Sequence, residues 1–142
     1  MARNRIDLCD DDALLSEALA QHVADGDSTD RPGCYALDIA VPDEGHEAHA
    51  RRWLTAGYGT VPPYLPQIVD ADRVVYVGRA SSVRDRLEDH LGGGVREASL
   101  PSVYEPKGIY RVRWGENTDH AERVFADDIR AELGPSAYVH SR

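Results

Sequence analysis

Tyr76-Val77-Gly78-Arg79-Ala80-Ser81-Ser82-Val83-Arg84-Asp85-Arg86-Leu87-Glu88-Asp89-His90-Leu91 is the stretch on which the fold turns. Val74 to Val77 is a continuous apolar run between Arg73 and Gly78, the pattern of a central strand buried on both faces. Ser81 or Ser82 can cap a helix running to Leu91, and Gly92, Gly93 and Gly94 stop it. On that helix Val83, Leu87 and Leu91 lie four apart and form the buried stripe. Arg86 and His90, each one position back, flank the stripe, while Arg84, Asp85, Glu88 and Asp89 face mainly solvent. A guanidinium and an imidazole at the rim of a core, close to a strand-end tyrosine, can form a compact phosphate-binding cluster.

Upstream, Cys34 to Ala40 alternates with Tyr35, Leu37 and Ile39 on one face, which reads as a strand. A long connection follows, with a helix expected from Glu44 to Leu54 and a Gly/Pro/Tyr-rich stretch from Gly57 to Pro66. Before the strand, Asp10 to Asp12 can cap a helix carrying Leu14, Leu15, Ala18, Leu19 and Val23, and a polar loop spans Asp25 to Gly33. Downstream, Gly108 to Trp114 reads as a third strand, and Asp119 begins a helix that Gly134-Pro135 ends. Strand, excursion, strand, helix, strand, helix is the order of an α+β or α/β layered domain.

The chain has 142 residues, 42% hydrophobic and 29% charged, which suits one domain with one core. The longest apolar runs fall far short of a bilayer span, and the first residues lack a signal-type apolar region, so neither a membrane protein nor a secreted precursor is expected. Cys9 and Cys34 are too few for a disulfide scaffold and have no Cys-x-x-Cys partner, which points to reduced thiols in a cytoplasm. Asp plus Glu number 25 against 16 Lys plus Arg, for a formal charge of −9, and Lys107 is the only lysine. An Asp-rich, Lys-poor surface fits a high-salt cytoplasm. Globally the acidity argues against nucleic acid, since duplex binders carry an excess of basic residues. Locally Arg79, Arg84, Arg86 and His90 gather beside one strand, so the acidity need not extend across that face.

Tyr-Val-Gly at 76 to 78, Arg86 ten residues after Tyr76, His90 fourteen after it, and Gly33-Cys34-Tyr35 upstream together resemble the GIY-YIG nuclease domain. The resemblance covers roughly residues 33 to 138. It implies an α+β domain with a small mixed or antiparallel three-stranded sheet flanked by helices. Residues 1–142 then form a single domain, with 1–32 as an N-terminal helical extension, 33–138 as the core and 41–72 as an insertion between the first two strands.

The chemistry the resemblance implies is metal-dependent hydrolysis of DNA phosphodiester bonds. Tyr35 or Tyr76, commonly the first, would serve as general base, which needs a nearby cation because a free phenol titrates near ~10. Arg79 stands where many members carry a basic residue and could lower that pKa. Arg86 would clamp the scissile phosphate and stabilise charge in the transition state. His90 matches a histidine of the homing-enzyme branch and would handle a proton or contact phosphate. One carboxylate on a later helix would hold Mg²⁺ or Mn²⁺. Glu122 shares a face with Phe125, Ala126, Ile129 and Leu133, whereas Asp127 fits better when counted back from Gly134-Pro135 but faces outward; geometry favours Glu122. Asp119 to Glu122 also has the spacing of a helix-capping box, a structural role for the same carboxylate.

Departures from the family pattern keep other functions open. The 41-position separation of Tyr35 and Tyr76 exceeds the family's short hairpin, and the first motif is Gly-Cys-Tyr. A catalytically degenerate module that binds nucleic acid or a protein partner is the alternative, and an acidic mimic of DNA a third class. His46-Glu47-Ala48-His49 is not a zinc motif, and Gly108-Ile109-Tyr110 follows the Tyr-Val-Gly motif and reads only as the third strand.

Overall fold

In the computed structural model, residues 18–23, 28–56, 60–91 and 100–141 are described. The N-terminal helix expected after Asp10 therefore lies largely outside the described residues, although 18–20 are helical. The element order is β1 (Gly33–Ala40), α1 (His46–Thr55), α2 (Leu65–Asp70), β2 (Arg73–Ala80), α3 (Val83–Leu91), α4 (Leu100–Val103), β3 (Glu105–Trp114), α5 (Asp119–Leu133) and β4 (Ala137–His140).

The α+β class and the helix-flanked sheet agree with the sequence, but the expectation of three strands was wrong. The sheet has four, in the order β3-β1-β2-β4. β1 pairs antiparallel with β2 and with β3, and β4 adds to the free edge of β2 in parallel. The missed strand is four residues long, too short for its alternation to declare itself, and it follows the Gly-Pro stop that ends α5. Gly134 takes a positive φ of 83°, which a glycine tolerates without strain, and turns the chain back toward β2. Asp72 N–H donates to Ser136 O (2.8 Å) just before β2 and β4 begin to pair.

Period-two alternation sorts the strands into two apolar layers. Tyr35, Leu37 and Ile39 of β1 and Val74 and Tyr76 of β2 face one layer, where they meet Trp53, Leu65, Ile68, Val83, Leu87, Leu100 and Tyr104. Cys34, Ala36, Val75 and Val77 face the other, covered by Phe125, Ala126 and Ile129 of α5. Burial on both faces explains why Val74 to Val77 reads as an unbroken apolar run.

The insertion joins the first layer through a buried polar knot. His49 is fully buried, with Nδ1 hydrogen-bonded to the Tyr104 hydroxyl (2.9 Å) and Nε2 to Pro42 O (3.0 Å). Trp53 Nε1–H donates to the same Tyr104 oxygen (3.0 Å). These bonds tie α1 to the chain entering β3 and satisfy groups that would be costly to bury unpaired. None of the helices is long and apolar enough to cross a membrane, among the described residues.

Candidate functional site

The register of β1 on β2 sets Tyr35 opposite Gly78 and Leu37 opposite Tyr76, so both tyrosines lie on the α3 side of the sheet. Tyr35 lies directly across Gly78. A Cβ at that position would sit 2.6 Å from Tyr35 Cζ and closer still to its hydroxyl, so only glycine lets the phenol cross β2 here. The two tyrosine rings are 6.5 Å apart and inclined at 44°.

α3 follows β2 after two residues, and the Ser82 hydroxyl accepts from Asp85 N–H (3.3 Å) at its start. Burial of Val83 and Leu87 draws the helix over the tyrosine face. Arg86, next to Leu87, is thereby half-buried, and its guanidinium hydrogen-bonds the Tyr35 hydroxyl. Burial is the strongest influence on Tyr35 and pushes its pKa far above the ordinary phenol value. Tyr76 raises it further, Arg86 pulls it down without overcoming burial, and Glu122 adds a smaller upward push. The phenol therefore holds its proton at neutral pH and acts as a hydroxyl, not a phenolate.

Glu122 is buried, with 4% of its surface exposed, although it belongs to the helix on the opposite face. It does not cap α5, because the Thr118 hydroxyl accepts from Ala121 N–H (3.0 Å) and is the N-cap. Its Oε1 lies 3.4 Å from Arg79 Nε. Arg79 in turn donates to Asn117 O (2.7 Å) and to Asp119. Arg79 thus fastens the end of β2 to the first turn of α5 and orients Glu122, whose charge Tyr35 feels. Tyr35 thus meets both Tyr76 and Arg86, and Glu122, paired with Arg79, lies within its electrostatic reach.

Not all the expected features assemble. The Mg²⁺ or Mn²⁺ centre is a correction: among the described residues no group of three His, Cys, Asp or Glu side chains is placed to hold a metal ion. Glu122 faces a guanidinium, and Asp127 points away from the site and pairs with Arg130 (2.8 Å). His90 lies on α3, but its side chain falls outside the described residues. His46 is exposed and near Asp70 while His49 is a core residue, so the two histidines form no site. Arg84 pairs with Glu88 (3.2 Å), and with Arg79 bound to Asp119 and Glu122 the basic cluster is compensated by carboxylates.

Sequence reasoning passed over His140. The parallel register sets it beside Tyr76, and the two rings stack at 6.0 Å and 16°. Its only signal was the alternation of Tyr138 and His140 around Val139. Compared with known proteins, the chain matches no family model, no curated sequence and no solved structure.

Proposed function

We propose that the chain is a GIY-YIG-like endonuclease that hydrolyses DNA phosphodiester bonds at the surface between Tyr35 and Arg86. One observation carries the reading: Tyr35 packs against Tyr76, hydrogen-bonds Arg86 and lies within electrostatic reach of Glu122, although the four are spread over 88 positions of sequence from first to last inclusive. Gly78 gives the arrangement a steric reason, since Tyr35 could not reach Arg86 across any other residue.

In this reading Arg86 binds the non-bridging oxygens of the scissile phosphate and stabilises the charge added as a fifth oxygen approaches phosphorus. Tyr35 and Tyr76 orient the phosphate and the attacking water through their hydroxyls, and that of Tyr35 keeps its proton. Glu122, fixed by Arg79, offers the nearby carboxylate toward which that water can donate. As the water oxygen bonds to phosphorus its proton passes to the Glu122 carboxylate, the bond from phosphorus to the sugar oxygen breaks, and that oxygen takes a proton from solvent.

A second reading is a related module that binds DNA without cutting it. The raised pKa of Tyr35, which removes it as a base, and the lack of a three-ligand group among the described residues favour it. Plasmid and branched DNA incubated with the chain in molar KCl separate the two. Hydrolysis predicts nicked product that falls by about 10²–10³-fold in Arg86→Ala. Binding without product supports the second reading, and equal cutting by wild type and Arg86→Ala overturns the first.

A further inference from the structure

Beyond Tyr76 the rings continue across β4. His140 stacks on Tyr76, Tyr64 of the insertion packs on His140 with centroids 4.7 Å apart, and Tyr64 stacks on Tyr138 at 6.0 Å and 16°. Trp53 packs against Tyr64 in an edge-to-face arrangement, at 6.1 Å and 83°. The run opens into a cavity of about 660 Å³ lined by Tyr64, Tyr138, His140, Arg130 and Ser141 together with backbone of the α5–β4 turn.

The ring-lined part of this cavity is uncharged. Burial holds the pKa of His140 below the ordinary histidine value, and burial lifts that of Tyr138 to about 12. The Tyr138 hydroxyl and His140 Nδ1 are hydrogen-bonded to one another (2.8 Å). The cation lies at the rim, where Arg130 is held by Asp127 (2.8 Å), Val139 O (2.9 Å) and Ser141 Oγ (3.3 Å). Planar neutral faces with one fixed guanidinium at the edge suit a heteroaromatic ring attached to an anion.

We infer that this cavity is a stacking subsite for an unpaired nucleobase of the DNA strand whose phosphodiester lies at Tyr35 and Arg86. The inference rests on the proposed nuclease reading and sharpens its substrate class to single-stranded or flapped DNA. A base inside a duplex has both faces covered by its neighbours, so only an unpaired one can offer a face to Tyr64 or Tyr138. Tyr76 packs against both Tyr35 and His140, so one ring joins the two places along the path of a single strand.

The test is fluorescence titration of the full chain with a single-stranded oligonucleotide carrying a fluorescent purine analogue, and with the same strand annealed into a duplex. Quenching by the single strand and tighter binding than the duplex are expected. Tyr64→Leu should weaken single-strand binding about tenfold and abolish the quench, and Tyr64→Phe should keep both. Absence of quenching in the wild type overturns the subsite and depends on no variant. Unchanged affinity and quenching in folded Tyr64→Leu overturns it as well. Cleavage is scored separately: a chain that cuts without quenching refutes the subsite alone, and one that quenches without cutting refutes the hydrolytic reading alone.

Discussion

Gly78→Ala tests the packing on which the site depends. The added methyl would lie 2.6 Å from Tyr35 Cζ and 3.1 Å from Cε1, and Tyr35 is only 1% exposed, so its ring has no open space into which to swing. Overpacking of this kind costs about 1–3 kcal/mol. Against it stands the roughly 0.5–1 kcal/mol that alanine gains over glycine in a strand. The net loss should be about 1–2 kcal/mol, a fall in Tm of roughly 4–8 °C for a domain of this size. Gly108→Ala on β3 is the control: nothing lies within 4 Å of its Cβ, so the same exchange should stabilise by about 0.5–1 kcal/mol. Thermal melts of both variants, and of Gly78→Ala combined with Tyr35→Ala, decide the matter. Removal of the Tyr35 ring should relieve the clash, making the pair non-additive by about 1 kcal/mol. A stabilised Gly78→Ala, or strict additivity with Tyr35→Ala, would refute the account of why glycine stands there.

Three other outcomes follow from the same geometry. Glu122→Gln should lower stability by no more than about 1 kcal/mol, because Arg79 keeps Asp119 and Asn117 O, while DNA cleavage falls about 10²-fold; matching losses in cleavage and in thermal stability would assign the carboxylate a structural role only. Tyr104→Phe removes the acceptor of Trp53 Nε1–H and the partner of His49, both buried, and should cost about 1–3 kcal/mol in a denaturant titration; a shift below about 0.5 kcal/mol would show that the knot contributes little. In urea midpoints against pH, the raised pKa of Tyr138 means that its contribution is whole below the unfolded value near ~10 and is lost as pH rises through about 12, and Tyr138→Phe should flatten that decline. His140, whose pKa is lowered, acts on the acid side: its contribution is whole above the unfolded value near ~6.5 and falls away as pH drops toward its folded value, so an acid limb unchanged in His140→Asn would contradict the burial that sets it.

Where one physical rule governed a segment, the sequence was readable. The two-sided burial of Val74 to Val77, the Leu87 stripe of α3 and the Gly134 stop of α5 each follow from a periodicity or a backbone requirement that acts locally. Glu122 was found from the helical phase it shares with Phe125 and Ile129, but its partner was not, since Arg79 reaches it across 43 residues of chain. The same limit hid β4. Four residues of alternation carry little signal, and what makes them a strand is the free edge of β2, a property of the sheet and not of the segment. The metal expectation failed for a related reason: spacing can place one carboxylate on a face, whereas a three-ligand group needs side chains from several elements to converge.

The acidity of the chain takes on a different meaning once the ion pairs are traced. Arg79 answers Asp119 and Glu122, Arg84 answers Glu88, Arg111 answers Glu132 and Arg113 answers Asp128, so much of the arginine charge is met by carboxylates within 3.4 Å. Arg86 lies against the hydroxyl of Tyr35, a phenol that keeps its proton. In the proposed reading, a phosphate arriving there would meet a guanidinium that already donates to the Tyr35 hydroxyl. Association would then depend on one or two short contacts and on stacked bases, with only a shallow dependence on salt, because few counterions are released. A net charge of −9 is compatible with a nucleic-acid substrate under that condition, and the surface acidity and the site chemistry are set by different residues.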